Sequence, residues 1–491
     1  MRSAFLLGFL ALSGCASAPG YRSPAVDVPA SFREMGDSNR SSVAVASGDA
    51  VSASYLAPAT RAAHGAPPDP SDRPVLSSDY WAPLGDTTLS CLIGAVQGAN
   101  LDVRAARARV SAARSDRVRQ VLELTPSTVV SGSYSRQRLS SATFPGAGVF
   151  PDQTVWDAGV SATWDLDIFG RIRQGVQAQG ALVSVAQEEL RDVQVSLTAE
   201  LAAAYFELRG AQEQLQVARQ NAENQRRTFD LTRQRLEAGR GSAFDTDRAQ
   251  AQLSTTLASI PAREAQVAAA QYRIGTLVGR SPTEVAHELE RPDRLPLLPE
   301  VTTIEQPEVV VRYRPDVAAA ERFAAAQGAL VGAAQASYLP RLSLGGSVGY
   351  AAPQVDAFGN RGTLRYVVGP VLTWPGLNLG RVKAEVDAAQ AREEAARAQY
   401  GRVVLAAMQD VETSITRYRS ARERLERLQD ASAASERAAE LARLRFSEGV
   451  TDFLQVLDAE RTQLEAQDRL AQGRSDAATA YAALYKAVGG R

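Results

Sequence analysis

Two short stretches carry residues whose types and spacing could do chemistry. Gly345-Gly346-Ser347-Val348-Gly349 has the G-x-S-x-G spacing of a nucleophile elbow, in which a strand turns at once into a helix and presents the serine hydroxyl. Asp458 and Arg461 stand three residues apart, the spacing at which opposite charges meet on one helix face. The first stretch lacks the setting its chemistry needs. Leu342, Leu344, Val348 and Tyr350 alternate with Ser343, Gly345, Ser347 and Gly349, so a strand runs straight through the serine and no elbow can form. The second stretch is, on spacing alone, an exposed helix residue with its ion-pair partner. The chain has two histidines, His64 and His287, and neither has ligand-like neighbours. Enzyme is therefore the weakest class: no catalytic residue, metal site or cofactor is expected.

The elements that would position these residues come from a duplication. Trp164 to Arg171 aligns with Trp374 to Arg381, and Arg235-Leu236-Glu237-Ala238-Gly239 with Arg445-Phe446-Ser447-Glu448-Gly449, each about 210 positions apart. Between the members of each pair runs a proline-free, Ala-rich segment. Leu201, Leu208, Leu215, Ala222, Phe229 and Leu236 recur every seventh residue in the first segment, and Val404, Val411, Tyr418 and Leu425 in the second. That spacing predicts long helices packed as coiled coil, each about 100 Å at ~1.5 Å per residue. A hairpin of alternating strands precedes each. Thr128, Val130, Gly132 and Tyr134 lead into Ala158, Val160, Ala162, Trp164 and Leu166; Leu342 to Tyr350 leads into Leu364, Tyr366, Val368, Leu372 and Trp374. Tyr and Trp near strand ends suit the aromatic girdle of a membrane barrel. Four such strands cannot close a ring, and lipid does not tolerate open edges, so the chain must pair with copies of itself or these are not membrane strands.

Net charge is −1, and the 54 Lys and Arg are interspersed with acids along the helices, so no nucleic-acid partner is expected. Beyond the first 15 residues there is no apolar run long enough for a transmembrane helix. Met1-Arg2 and the apolar run Ala4 to Leu12 read as a secretory signal. Leu12-Ser13-Gly14-Cys15 resembles the bacterial lipoprotein box, which implies a covalent lipid on Cys15. Ala16 after it favours the outer membrane by the same resemblance. The Pro-, Ser- and Gly-rich stretch that follows can bury little and reads as an extended or disordered strap. It contains Gly36-Asp37-Ser38-Asn39, similar to an esterase nucleophile block but with no apolar strand before it. Cys91 lies among apolar residues and is expected to be a small buried side chain. Leu89, Leu92, Ile93, Val96, Leu101 and Val103 predict one helix from Asp86 to about Val121.

These features together resemble the TolC-like outer-membrane efflux family, in its lipoprotein (OprM/NodT) branch. The matching residues are the box at Cys15, Arg314-Pro315-Asp316-Val317, Tyr338 to Leu344, Trp164 to Arg171 and Gly449 to Gln463. The resemblance implies a homotrimer: a twelve-stranded transmembrane β-barrel above a long α-helical coiled-coil tunnel, lipid-anchored in the outer membrane and crossing the periplasm. It implies a passive exit duct fed by an inner-membrane RND-type transporter and a periplasmic membrane-fusion adaptor. The boundaries read as signal peptide 1–14, lipidated strap 15–78, first repeat 79–280, equatorial linker 281–312 and second repeat 313–491. The first repeat holds hairpin 127–167, long helix 171–238 and return helix 243–279; the second holds hairpin 341–375, long helix 380–447 and return helix 452–488. By motif position, Leu454 and Asp458 fall on the rings of the periplasmic gate, with Arg461 as the restraint of Asp458. Three Asp458 carboxylates facing one axis would repel and would bind cations. Arg235, Gly239 and Phe244, with Arg445, Gly449 and Phe453, become the adaptor-docking tips, although helix caps explain the two glycines equally well. A type I protein-secretion conduit and a non-channel periplasmic coiled-coil lipoprotein stay open as alternatives.

Overall fold

The structure is a computed structural model that describes residues 80–138, 152–300 and 306–490. Cys15, the strap, Gly36 to Asn39 and His64 lie outside the described residues. The elements, in chain order, are α1 (Thr87–Ala99), α2 (Leu101–Leu122), β1 (Ser127–Gln137), β2 (Gln153–Leu166), α3 (Arg171–Glu237) and α4 (Ala243–Val278). Two short helices, α5 (Pro282–Glu288) and α6 (Pro307–Tyr313), follow. Then come α7 (Pro315–Ala336), β3 (Arg341–Ala352), β4 (Leu364–Thr373), α8 (Leu379–Ser447) and α9 (Phe453–Ala487). No described helix is long and apolar enough to cross a membrane. Two compact units result, with α3 and α8 contributing to both.

One unit comprises Arg109–Gln187 and Ala319–Gly401 and contains the sheet. Its four strands are antiparallel in the order β1-β2-β3-β4. The register sorts the side chains by face. Val130, Val160, Val348 and Tyr366 stand opposite one another in a row across the strands, as do Thr128, Ala162, Gly346 and Val368. On the other face Val129, Ser161, Ser347 and Val367 align, beside Ser131, Gly159, Gly349 and Arg365. Ser347 thus sits within an unbroken strand.

The duplication shows in one repeated anchor. Trp164 Nε1 donates to Leu124 O (2.8 Å), and Trp374 Nε1 donates to Tyr338 O (3.0 Å). Each indole, at the end of the second strand of its hairpin, ties down the turn that opens the first strand, so an amphipathic ring keeps its N–H satisfied. The halves diverge where the long helices begin. Asp167 accepts from the backbone N–H groups of Ile172 and Arg173 (3.0 and 2.8 Å) and caps α3, whereas α8 follows a single 3₁₀ turn, Gly376–Asn378.

The other unit, described over 80–108, Glu188–300, 306–Ala318 and Arg402–490, holds the principal apolar core. Leu89 and Val96 of α1, Tyr205, Phe206 and Leu208 of α3, Ile274 of α4 and Tyr481 and Tyr485 of α9 are buried together. Tyr80 and Trp81 pack onto this core. Tyr80 and Tyr481 each donate a hydroxyl proton to the other's main-chain carbonyl, both at 3.0 Å, and their rings stack with centroids 4.6 Å apart.

Two expectations need correction here. The helix expected from Asp86 to Val121 is two helices, because Asn100 turns extended and caps the second: its Oδ1 accepts from Asp102 N and Val103 N, and its Nδ2 donates to Leu277 O (2.7 Å). Cys91 is exposed, not buried. The buried stripe of α1 is Leu89, Leu92 and Val96, and Cys91 falls off it.

Arg314, from the Arg-Pro-Asp sequence, proves to be a tie among helices. Its buried guanidinium donates to Ala487 O on α9 (2.9 Å) and forms ion pairs with Asp316 (2.7 Å) and with Asp410 on α8 (3.2 Å). Pro315 starts α7 directly after it, where a missing N–H costs nothing. Replacing Arg314 by Ala leaves the Ala487 carbonyl without this donor and removes the ion pairs with the partly exposed Asp316 and Asp410, and should cost about 2–3 kcal/mol. Arg314→Lys should recover only part, since an ammonium cannot fork between these acceptors. Thermal unfolding of the purified protein, followed by circular dichroism, checks both; equal melting of wild type and Arg314→Ala would remove the tie from the fold.

Candidate functional site

The region where α3 turns into α4 and α8 into α9 holds nearly all the residues singled out from sequence. Both turns close in the same way. Gly239 (φ 66°) and Gly449 (φ 76°) adopt the left-handed conformation, with Arg240 N donating to Arg235 O (2.8 Å) and Val450 N to Arg445 O (2.9 Å). These are Schellman caps, so both glycines have a structural role. Ser242 and Asp452 then cap the return helices, accepting from Phe244 N and Gln455 N respectively (each 3.1 Å).

The two aligned arginines, however, differ in use. Arg235 Nη2 donates to Phe446 O (2.7 Å) and Ser447 O (3.1 Å), and its guanidinium lies 4.2 Å from the Phe446 ring centroid. It supplies the donors that the last carbonyls of α8 lack and places a cation at that helix's negative end. Arg445 is exposed. The aromatic residues divide likewise. Phe244 is 64% exposed, with Val450 exposed nearby, whereas Phe453 is buried against Phe446, Val456 and Ala249. Phe453, expected on the exposed tip, is therefore a core residue; its ring centroid is 5.7 Å from that of Phe446.

Helix α9 carries two faces from its start. Phe453, Val456, Glu460 and Gln463 point inward and are buried, while Leu454, Asp458 and Arg461 form an exposed stripe. Arg461 Nη2 reaches Asp458 Oδ1 at 3.3 Å with both side chains about two-thirds exposed, so the pair exists but contributes little by itself. Sequence reasoning missed the group on the opposite face. Glu460, 3% exposed, accepts from Thr228 Oγ1 on α3 (2.9 Å) and has Arg443 of α8 at 3.8 Å. Burial pushes its carboxyl above the usual carboxylate range, and the Thr228 hydrogen bond and Arg443 pull part of the way back. The signal was readable: Glu460 falls on the same helical face as Phe453 and Val456. Two turns of α3 above Thr228, Asn221 donates to Gln467 Oε1 (2.9 Å), so polar contacts continue along the α3–α9 seam.

Elsewhere in the chain, the sheet presents the second functional surface. Val130, Val160, Val348, Tyr366, Val368 and Leu372 are exposed large apolar side chains on one face. The outer edges of β1 and β4 pair with no described strand.

The model of the outer membrane efflux protein family matches residues 92–280 and 309–490. Antibiotic efflux pump outer membrane protein ArpC of Pseudomonas putida is 28% identical over 446 residues, covering 89% of this chain and 91% of ArpC. Nodulation protein T of Rhizobium leguminosarum bv. viciae is 27% identical over 428 residues, covering 85% of each. Among solved structures, the outer-membrane channel OprN superposes with a TM-score of 0.82 at 34% identity, over 97% of this chain and 99% of that one.

A raised carboxyl constant means the folded chain holds its proton more tightly than the unfolded chain does. Glu460 then lowers stability as pH rises from 4.5, the ordinary glutamate value, through its higher folded value. Glu460→Gln should therefore melt higher than wild type at about pH 7.5, and the gain should shrink to nothing as pH approaches the ordinary carboxylate range. Paired melting curves across pH measure this. A gain that is constant with pH would mean Glu460 carries no raised constant.

Proposed function

On the premise that this chain belongs to the outer membrane efflux protein family, matched over both of its halves, we propose that it is the exit duct of a tripartite efflux pump. The protein is an outer-membrane channel component that extends into the periplasm. The observation that carries the finer reading is the four-stranded sheet with one apolar face and two edges that pair with no described strand. Three copies supply twelve strands, pair β4 of each with β1 of the next, and leave no edge open in lipid. The apolar face then meets the hydrocarbon, with Trp164 and Trp374 at the helix-side rim. The polar, serine-rich face lines the lumen, and α3, α4, α8 and α9 of each copy form the wall of a tunnel.

In this assembly the exposed stripe of α9 turns to the axis. Leu454 forms an apolar ring and Asp458 an acidic one, with Arg461 holding each carboxylate; Gln455 leaves the ring less acidic than a second aspartate would make it. An inner-membrane transporter supplies the driving force, and a periplasmic adaptor docks on the exposed turns. Gly239 and Gly449 shape those turns, and Phe244, Val450 and Arg445 offer the contacts. Arg235 and Phe453 hold the two turns together from inside. Cys15 takes the lipid that anchors the mature chain to the outer membrane, and the strap that follows it leads to Tyr80 and Trp81. Solutes pass without chemistry, so no cofactor is required.

Purified protein in planar lipid bilayers tests this reading. Wild type should give a small conductance blocked by divalent cations, and the double variant Asp458→Ala with Arg461→Ala a several-fold larger one with weaker block. Absence of current from both, with a monomer in detergent, would sink the duct and favour a periplasmic coiled-coil lipoprotein. Current unaltered by the substitutions would place the gate elsewhere on the chain.

A further inference from the structure

On the serine-rich face of the sheet, one arginine crosses a whole strand to find its partner. Arg365 of β4 stands opposite Gly349 of β3, which stands opposite Gly159 of β2. Its guanidinium passes over this row and forks onto Asp157 of β2, with Nε donating to Oδ2 at 2.7 Å and Nη2 to Oδ1 at 2.6 Å. Two parallel N–H···O bonds fix the plane of the fork as well as its position. Both residues of the row it crosses are glycines. A Cβ at Gly159 would sit at ordinary contact distance from Arg365 Nη2 (3.5 Å); the close approaches at both glycines would be to the neighbouring strand's backbone, 2.8 Å to Val348 O and 2.5 Å to Ala158 O. The arginine thus reaches β2 across a row whose two central residues, Gly349 and Gly159, carry no side chain. Asp157 and Arg365 both lie near the starts of their strands, at the end of the sheet far from α3 and α8.

The face on which they lie is decided by alternation. The opposite face carries Val130, Trp156, Val160, Val348, Tyr366 and Val368, which suit lipid. A charged pair facing hydrocarbon is expensive, whereas the same pair facing a water-filled lumen is stable.

We infer that Asp157 and Arg365 form a neutralised charge ring at the outer mouth of the duct, and that this pairing sets the ionic selectivity of the exit. The inference rests on the proposed barrel, in which each copy contributes one pair. Three guanidiniums free in a narrow pore would attract anions and repel cations; three lone carboxylates would do the reverse. Pairing masks both charges and holds the long arginine side chain against the wall, so the mouth passes solutes of either sign and stays wide. Asp157 and Arg365 are specificity-determining residues of the exit, separate from the acidic ring of α9.

The test measures reversal potentials in a salt gradient across planar bilayers. It uses full-length protein carrying Asp458→Ala and Arg461→Ala, so that the narrow end does not dominate. Relative to that background, Asp157→Asn should raise the chloride-to-potassium permeability ratio several-fold, and Arg365→Gln should lower it several-fold. The pair of substitutions together should return it close to the starting value. The exchange Asp157→Arg with Arg365→Asp keeps both charges at the wall and should leave it unchanged. Channels that conduct with the same ratio in both single variants would overturn the inference while leaving the duct intact. No conductance from any variant or from the background would remove the duct itself, and the inference with it. Should either single variant fail to assemble, the exchange decides: assembly with unaltered selectivity supports the pair, and failure to assemble or a shifted ratio overturns it.

Discussion

Main-chain hydrogen bonding at the sheet edges is the constraint on which the rest of this structure depends. Inside lipid no water can satisfy an unpaired N–H or C=O, so a spanning sheet must close. Among the described residues one chain offers four strands whose two outer edges pair with no other strand, so in the proposed barrel copies of the chain supply the missing partners. In the proposed duct, pairing with copies of the chain meets that requirement through the backbone, before any side-chain interface is considered. The duplication follows the same logic. Each half supplies one hairpin and one helical hairpin, and the repeated Trp anchor ties the end of each hairpin to the turn that opens it.

Where the halves differ, the differences fall at the starts of the long helices and at the turns that end them. Asp167 caps α3 firmly, while α8 begins from a 3₁₀ turn. Arg235 is spent on the carbonyls of α8, and its counterpart Arg445 stays exposed. Cross-ties of this kind do not follow from symmetry. They bind the second helical hairpin to the first at its turn, and Arg314 binds α7 to α8 and α9. Between those two points the seam between α3 and α9 includes polar contacts such as Thr228 with Glu460 and Asn221 with Gln467.

Periodicity made the large features legible. Alternation over four short segments and a seven-residue repeat over two long ones are local patterns, and each directly states which face is buried. The single-residue roles that depend on distant partners were not legible. Arg235 and Arg445 look alike in sequence, and only the Phe446 and Ser447 carbonyls, some 211 and 212 positions from Arg235, tell them apart. Phe453 reads as an exposed apolar residue after a turn until Phe446 and Ala249 are seen to cover it. Cys91 and Glu460 are a different kind of miss. Helical phase set against Leu89, Leu92 and Val96 excludes Cys91 from the core, and phase set against Phe453 and Val456 includes Glu460. Chemical type, apolar neighbours for one and charge for the other, outweighed a phase that was available.

The two faces of α9 then have to be considered as one device. The backbone positions of Leu454, Asp458 and Arg461 can shift together only if the helix moves, since one face of an α-helix cannot move without the other. Glu460, one residue from Arg461, is on the face that would resist such movement. A buried carboxylate with one hydroxyl donor and an arginine at 3.8 Å is a weak hold compared with the apolar packing of Phe453 and Val456 a turn or two earlier. Apolar contacts lose free energy steadily as surfaces part, whereas a polar contact can be replaced by water once the seam opens. In the proposed duct, movement of α9 would begin at the polar seam and stay hinged at the aromatic contact between Phe446 and Phe453. That order keeps the turns, and the surfaces they present, intact while the stripe is displaced.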